Sequence, residues 1–283
     1  MILTSRRCCM LMTDCYAVFG DPIQHSRSPW IHRQFAAATG QDIDYQPIHA
    51  PAHRFVELLQ DFHEGGGQGA NITLPLKEIA ALQCDSLSAA AHRAGAANTL
   101  LRRGASWHGD NTDGSGWMAD LARLDCSPAG RRVLILGAGG AARGILGPLL
   151  ESRPARVHIA NRNPERALEL ALRFRTLGVV ESGPWLPPAD EFDLIVHASA
   201  AAHAGTPVQF PPLRVASGAV AYDLSYGAAA RPFLDYAASL GVQARHDGLG
   251  MLVEQAADAF ALWRGIRPET GSVLAQLRAQ VGA

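Results

Sequence analysis

The sequence has no excess of charge of one sign and no long apolar run. Lys and Arg number 25 against 26 Asp and Glu, and no stretch approaches the ~18 apolar residues that a membrane helix requires. The basic residues are scattered, so the chain lacks the basic face that nucleic-acid binding needs. We therefore expect a small-molecule ligand, with neither a membrane nor a nucleic acid as partner.

Cysteine is also scarce. The five cysteines are odd in number and show no C-x-x-C spacing, which argues against a zinc site and a disulfide framework and favours a cytoplasmic protein without metal. Residues 1–14 lack the ~7–15-residue apolar core of a secretory signal. We expect an extension before Thr13 that carries no motif, with Met12 as a candidate start.

What the sequence does contain is an alternation of short apolar runs and helix-like stretches, which indicates parallel α/β sheets. One series runs through 16–20, a helix over 28–39 and 44–50; a second runs through 131–137, 156–160, 193–199 and 219–226. A length of 283 residues suits two domains of about 100–200 residues, and two domains imply a cleft. Predicted helices over 249–265 and about 272–281 follow the second series, and we expect both to cover the first domain.

The segment GAGGAAR, residues 137–143, follows an apolar strand and opens a helix, as a dinucleotide-binding turn does. Gly137 permits the tight turn, Gly139 lets the backbone approach a pyrophosphate, and the helix N-terminus offers amide donors. Structural strand-to-helix connections also contain such turns. The residues at the end of the next strand therefore have to distinguish a dinucleotide-binding turn from a structural one.

That strand ends about twenty residues later, where NAD-dependent enzymes place an acidic residue on the ribose 2′-hydroxyl. Here Asn161, Arg162 and Asn163 stand instead, with Arg166 one helical turn further on. Two arginines and two amides suit a 2′-phosphate, which predicts NADP. The alternative is a solvated helix start whose charges serve solubility.

Three segments of the first half are unusually polar. They are GDPIQHSRSP (20–29), GANITLPLKE (69–78), and GAANTL (95–100) leading into DNTDG (110–114). Taken singly, each is compatible with caps and turns. Their order, with the glycine turn at 137–143 and the closing segment DGLGMLVEQAA (247–257), resembles the shikimate dehydrogenase family from Tyr16 to the final helices.

The resemblance implies an α/β fold with an open, mostly parallel substrate-binding sheet and an inserted Rossmann-type nucleotide domain. The implied substrate domain comprises residues 12–113 and 250–283, and the NADP-binding domain residues 114–249. The implied activity is the NADP-dependent interconversion of 3-dehydroshikimate and shikimate in chorismate biosynthesis. NADPH is the implied cofactor, and a monomer or homodimer is expected.

The family's functional residues match positions of this chain. Lys77 and Asp113 match the catalytic pair, and Ser26 and Ser28 match the serines that hold the substrate carboxylate. The remaining implied substrate-binding residues are Asn71, Thr73, Asn98, Tyr226 and Gln255. The implied cofactor-binding residues are Gly137, Gly139, Gly140, Ala141, Asn161, Arg162, Asn163, Arg166, Gly248 and Met251.

These residue types suit that chemistry. A polyhydroxylated acid needs many neutral donors and acceptors, which Ser, Thr, Asn, Gln and Tyr provide. When hydride reduces a carbonyl, its oxygen takes up a proton. Partial burial makes Lys77 easier to deprotonate and Asp113 orients it, and because the two groups are coupled either one is a candidate for the transfer.

One segment departs from the family pattern. Where relatives read N-A-T-S and then a small glycine-containing loop, this chain has HASA at 197–200 and AAHAG at 201–205. We expect that loop near the nicotinamide. We interpret His197 as a strand-end histidine satisfied by the backbone, with a polar contact to the cofactor as the alternative.

Two other functions stay open. A quinate or other cyclic hydroxy-acid dehydrogenase would keep the same pair but often accepts NAD, which the missing ribose-binding acid disfavours. A catalytically impaired sensor that binds shikimate and nucleotide is disfavoured because both Lys77 and Asp113 are present.

Overall fold

A computed structural model describes residues 13–199 and 209–282. The predicted N-terminal extension, Met12 and the loop at 201–205 lie outside these ranges. No helix among the described residues is both long enough and apolar enough to cross a membrane.

The first sheet has six strands, in the order β2-β1-β3-β5-β6-β4. They are β1 (Asp14–Gly20), β2 (Ile43–His49), β3 (Gly69–Ile72), β4 (Ser86–Leu87), β5 (Thr99–Arg103) and β6 (Ser106–Asp110). Strand β1 is parallel to β2 and β3, and β4 is parallel to β6, whereas β5 is antiparallel to both its neighbours. Gly104, at φ 65°, turns β5 back onto β6, a hairpin that the apolar pattern did not predict.

Four helices belong to this unit: α1 (Ser28–Thr39), α2 (Phe55–Glu64), α3 (Lys77–Leu82) and α4 (Ala89–Ala94). Helix α1 has the bounds that the sequence predicted. It starts with Pro29 in its first turn, where a missing amide hydrogen costs nothing, and ends at Gly40 in the left-handed conformation. Phe19, Phe55, Ile72 and Leu100 form the core under the sheet.

The second sheet is entirely parallel, in the order β12-β11-β10-β7-β8-β9. Its strands are β7 (Arg132–Leu136), β8 (Arg156–Asn161), β9 (Glu181–Pro184), β10 (Glu191–His197), β11 (Arg214–Asp223) and β12 (Ala244–His246). The intervening helices are α6 (Gly140–Glu151), α7 (Pro164–Arg173) and α8 (Arg231–Ser239). With β7 counted as strand 1 of this unit, the spatial order is 3-2-1-4-5-6, which is the order of a dinucleotide-binding Rossmann sheet. The ligands of such a sheet bind where the strand order reverses, which is between β7 and β10.

The last two helices return to the first unit. Helix α9 (Leu249–Arg264) and helix α10 (Gly271–Val281) share a buried cluster with α1, to which Ile31, Phe35, Val253, Phe260 and Leu277 contribute. Helix α9 stops at Gly265, which has φ 73° and forms the expected cap.

Helix α5 (Asp113–Arg123) lies between α6 and α9 at backbone contact. A Cβ on Gly116 would lie 2.5 Å from the backbone nitrogen of Gln255 in α9. A Cβ on Gly114 would lie 2.5 Å from the carbonyl oxygen of Gly144 in α6. Only glycine permits both approaches, so the start of α5 is held between the two units.

Candidate active site

Lys77 and Asp113 form a charged pair at the start of two helices. Strand β3 leads towards α3, whose first residue is Lys77, and the β5–β6 hairpin leads into α5, whose first residue is Asp113. The Lys77 Nζ donates a hydrogen bond to Asp113 Oδ2, and 15% and 6% of the two side chains are exposed. The structure thus joins the two residues predicted to act as acid and base.

Asn98 connects this pair to the last helices. Its Nδ2 donates to Asp113 Oδ1 at 2.8 Å and faces Gln255 Oε1 at 3.3 Å, while its Oδ1 accepts from the Thr112 amide at 2.8 Å. Three predicted residues from distant segments therefore meet. Thr112 lies within the DNTDG segment but was not predicted as a site residue.

Asn71 is held by four hydrogen bonds. Its Nδ2 donates to the Asn98 carbonyl at 3.3 Å and to Thr99 Oγ1 at 3.1 Å. Its Oδ1 lies 2.8 Å from the Tyr45 hydroxyl and 3.2 Å from His32 Nε2. Because a carbonyl oxygen can only accept, Nδ2 must face Asn98 and Oδ1 must face His32, so His32 carries its proton on Nε2. A ligand can bond this amide only by replacing one of these partners.

His32 was not predicted as a site residue. It lies on the inner side of α1, is 0% exposed, and stacks on Tyr45 with ring centroids 4.2 Å apart. Burial lowers the pKa of His32 to about 3, although the hydrogen bond to Asn71 opposes the shift. Its Nδ1 is buried without a hydrogen-bond partner among the described residues. The only signal in the sequence was a histidine among apolar residues of α1.

The two predicted serines lie at the other end of the same network. The Ser28 amide donates to Ser26 Oγ at 3.3 Å, and only 7% of Ser28 is exposed. Burial raises the pKa of Tyr45 well above its usual value, and a hydrogen bond with Ser28 opposes this shift. A continuous polar chain runs through Tyr45, Asn71, Asn98, Asp113 and Lys77, and Ser28 lies beside its Tyr45 end.

Thr73 and Tyr226 border this network less tightly. Thr73 follows β3, and its amide donates to the Phe19 carbonyl at 2.9 Å. Tyr226 follows β11 and packs on the cluster of α1, α9 and α10. Burial raises the pKa of the Tyr226 phenol, and the positive charge of Arg27 opposes this shift. Arg27, the exposed residue between the two serines, thus places a cation at this end that sequence reasoning did not use.

The glycine-rich turn faces the charged pair. Gly137 has φ 122° and packs against residues 198–199, where a Cβ would lie 2.9 Å from the Ala198 carbonyl carbon. A Cβ on Gly139 would meet nothing within 4 Å, so its backbone is open to a ligand. A Cβ on Gly140 would lie 4.0 Å from the Lys77 side chain. The open helix N-terminus, with Gly140 and Ala141 in its first turn, fits a pyrophosphate.

The residues after β8 divide into two groups. Arg162 and Arg166 are exposed, and neither forms a salt bridge within the described residues. Asn163 is the N-cap of α7, since its Oδ1 accepts from the Arg166 amide at 3.1 Å, and Asn161 Nδ2 donates to the Asn163 carbonyl at 2.8 Å. The Asn163 oxygen thus caps the helix and the Asn161 Nδ2 bonds within the turn, whereas both amides were predicted to donate to the phosphate.

Gly248 and Met251 lie where α9 starts beside β11. The Gly248 amide donates to the Ser225 carbonyl at 2.8 Å, and a Cβ there would lie 2.4 Å from the Leu224 carbonyl oxygen. Met251 is 7% exposed and packs into the core of the second unit. This placement leaves little of Met251 for a cofactor contact.

His197 is satisfied by side chains, so the interpretation that the backbone satisfies it is wrong. Its Nδ1 lies 2.8 Å from Asp223 Oδ2 and its Nε2 lies 2.6 Å from Ser199 Oγ. Within residues 13–199 and 209–282, no group of three His, Cys, Asp or Glu side chains is arranged to hold a metal ion.

A Rossmann sheet whose glycine-rich turn faces a buried Lys–Asp pair of the first α/β unit defines a two-domain, dinucleotide-dependent oxidoreductase. Three family models match the chain. They are the shikimate dehydrogenase substrate binding domain at 18–100, shikimate / quinate 5-dehydrogenase at 120–205, and the shikimate 5'-dehydrogenase C-terminal domain at 248–278. The chain belongs to the shikimate dehydrogenase family.

Individual proteins agree with this assignment. The shikimate dehydrogenase (NADP(+)) of Acidovorax sp. (strain JS42) is 48% identical, covering 95% of this chain and 98% of its own length. The shikimate 5-dehydrogenase of Thermus thermophilus, solved with NADP(H) and shikimate, is 32% identical with a TM-score of 0.80, covering 95% and 99% of the two chains. The 5-ketofructose reductase of Gluconobacter sp. strain CHM43 is 27% identical with a TM-score of 0.81, covering 96% and 99%.

The buried His32 makes stability depend on pH. The unfolded histidine has a pKa of about 6.5, against about 3 in the fold, so the unfolded chain binds one more proton between these values. Stability is therefore lost as pH falls below 6.5. We expect the cost of His32→Asn, measured by urea unfolding, to be smaller at pH 5.5 than at pH 7.5 by about 1.4 kcal/mol.

Tyr45→Phe is the matched control, because it removes a hydrogen bond to the same Asn71 oxygen without removing a group that titrates in this range. Its cost should be the same at both pH values. An equal cost of His32→Asn at both pH values would show that His32 binds its proton equally in the folded and unfolded chains.

Proposed function

We propose that this protein interconverts 3-dehydroshikimate and shikimate by hydride transfer with NADP, as a step of aromatic amino-acid biosynthesis. The observation that carries the proposal is the Lys77–Asp113 pair, which stands at one end of the polar chain from Tyr45 and beside the nucleotide turn at Gly140. Substrate groups, proton donor and cofactor site thus converge.

NADPH, when bound, supplies the hydride. The residues that would hold it are the turn from Gly137 to Ala141 and the N-terminus of α6 for the pyrophosphate, with Arg162 and Arg166 for the 2′-phosphate. The fit rests on the open backbone at Gly139, the exposed arginines and the absence of a carboxylate at the end of β8. Gly248, Met251 and the two asparagines complete the proposed cofactor-binding residues.

The proton comes from the charged pair. The Lys77 ammonium has three hydrogens, and its bond to Asp113 leaves others for the substrate oxygen. Asp113 is itself fixed, because Asn98 donates to its second oxygen. The pair therefore holds a proton at a fixed position, and the two groups act as one coupled acid and base.

The substrate carboxylate is proposed to bind Ser26 and Ser28, with the cation of Arg27 favouring an anion there. Asn71, Thr73, Asn98, Tyr226 and Gln255 are proposed to bind the ring hydroxyls and the carboxylate. These groups are neutral, so they bind a polyol without opposing the proton transfer at Lys77.

We also propose the domain limits 12–113 with 250–283 and 114–249. Helix α5 supports a limit near its start, because α5 packs on both units. A cytoplasmic location and a monomeric or homodimeric state complete the proposal. Scattered charge supports a partner that is a small molecule and not a nucleic acid.

The direct test is steady-state oxidation of shikimate and quinate, each with NADP and NAD, and reduction of 5-ketofructose with NADPH. The ketofructose is included because of the Gluconobacter relative. We expect shikimate with NADP to give the highest kcat/KM. A preference for quinate, NAD or 5-ketofructose would replace the proposed substrate or cofactor, and binding without turnover would indicate a sensor.

Loss of the lysine should affect turnover more than binding. Lys77→Ala removes the positioned proton donor, and kcat should fall by about 10²–10⁴-fold. Ser26→Ala or Ser28→Ala should mainly raise KM, because each removes one hydrogen bond to a charged group, of about 1.5–3 kcal/mol. A Lys77→Ala enzyme with wild-type kcat and a changed KM would make the lysine a binding residue only.

Selectivity for NADP should depend on the two exposed arginines. Changing Arg162 and Arg166 together to Gln should lower kcat/KM for NADPH, because each lost charged hydrogen bond removes up to about 1.5–3 kcal/mol of binding free energy. The kcat/KM for NADH should stay nearly unchanged. Arg175→Gln, an exposed arginine beyond the end of α7, is the matched control and should alter neither. Equal losses with NADH and NADPH would assign the pair to the adenine or to folding.

A further inference from the structure

We propose, resting on the function above, that His197 and Asp223 are positioning residues that fix the Ser199 hydroxyl as a hydrogen-bond acceptor for an N–H or O–H group of the bound dinucleotide. His197 ends β10 and Asp223 ends the neighbouring β11, where the two residues are paired in register. Their side chains are each 1% exposed, so neither touches a ligand directly.

The proton positions follow from the acceptors. Asp223 Oδ1 accepts from the Ser225 amide at 2.8 Å, and Oδ2 lies 2.8 Å from His197 Nδ1. A carboxylate can only accept, so Nδ1 carries a proton, and in a ring with one proton Nε2 is then a bare acceptor. The Ser199 hydroxyl, 2.6 Å from Nε2, must then donate to it. Only the lone pairs of Ser199 Oγ remain for other partners.

The ring cannot readily turn to reverse this order. It stacks on Phe233 with centroids 5.1 Å apart and an interplanar angle of 25°, and it meets Phe210 edge-on at 5.3 Å. These contacts hold His197 between an aromatic face and an aromatic edge. Buried groups on two strands therefore set the direction of the hydrogen bond that the Ser199 hydroxyl makes.

Ser199 borders the nucleotide turn. The Ala198 amide donates to the Leu136 carbonyl at 2.8 Å, and a Cβ on Gly137 would lie 3.0 Å from the Ser199 amide nitrogen. The strand order of this sheet reverses between the neighbouring strands β7 and β10, and Ser199 is partly exposed there. A bound dinucleotide passes along this edge.

An acceptor at this position selects among the groups of a dinucleotide. Phosphate oxygens only accept and gain nothing from Ser199, whereas ribose hydroxyls and the nicotinamide carboxamide can donate. The structure therefore assigns Ser199 to one of these donors. Asp223→Asn tests the polarity, because an amide that donates to Nδ1 would move the ring proton to Nε2 and free the serine hydroxyl to donate.

The experiment measures Kd for NADP by quenching of tryptophan fluorescence, and the histidine tautomer by long-range ¹H–¹⁵N spectra. Ser199→Ala and Asp223→Asn should each weaken NADP binding by roughly 2- to 12-fold, the loss of one neutral hydrogen bond. The His197 proton should sit on Nδ1 in the wild type and in Ser199→Ala, and on Nε2 in Asp223→Asn. Ser239→Ala, whose hydroxyl donates to a carbonyl of α8, is the control and should bind normally.

One ligand analogue distinguishes the donor. A loss that disappears with the 3-acetylpyridine analogue of NADP, which lacks the amide hydrogens, assigns Ser199 to the carboxamide; a loss that persists assigns it to a ribose hydroxyl. Unchanged affinity in both variants while the wild type binds NADP would overturn the proposal alone, whereas a wild type that does not bind NADP would overturn the proposed function. Labelling of Ser199 by a fluorophosphonate would also overturn the proposal, since it would make the serine an activated nucleophile.

Discussion

The site depends on the close packing of α5 between α6 and α9. Gly114 and Gly116 allow backbone-to-backbone approach on two sides of one helix turn, so the first residue of α5 has little freedom. That residue is Asp113, and its carboxylate faces Lys77 from the first sheet. The helix N-terminus also favours a negative charge there. The packing of small residues thus fixes the position of the one buried charge pair in the polar chain.

Neutral hydrogen bonds connect the Lys77–Asp113 pair to the other end of the site. Asn71 and Asn98 use donors and acceptors on both sides, and each buried polar group costs free energy unless it is paired. Both polar atoms of the Asn71 side chain already have two partners each, whereas the Lys77 ammonium keeps hydrogens beyond its bond to Asp113. A hydroxylated ring must therefore replace existing partners at Asn71, which favours ligands that offer both donors and acceptors.

The nucleotide unit also contains a buried carboxylate that orients a neighbouring side chain, at the carboxyl edge of its sheet. The carboxyl ends of β7, β10 and β11 bring Gly137, His197 and Asp223 together, although the three come from different segments. In the first unit a carboxylate orients a lysine, and here a carboxylate orients an imidazole. In both, a buried carboxylate fixes the orientation of the group beside it.

The sequence by itself determined the features whose causes are local. Pro29 and Gly40 delimit α1, Gly265 ends α9, and Gly137 adopts the positive φ that its turn requires. Lys77 and Asp113 were predicted from the family resemblance, which short and contiguous motifs carry. The cap formed by Asn163 was equally local, but the residue was predicted only as a donor to the phosphate.

Only the tertiary structure decided the partners of His32 and His197 and the direction of β5. His32 meets Asn71, 39 residues away, and His197 meets Asp223, 26 residues away. Such pairs depend on strand order and register, which the packing of the whole chain sets. A histidine in an apolar run has the same local pattern whether its ring nitrogens are bonded to a backbone, a carboxylate or an amide, so its role became visible only with its neighbours.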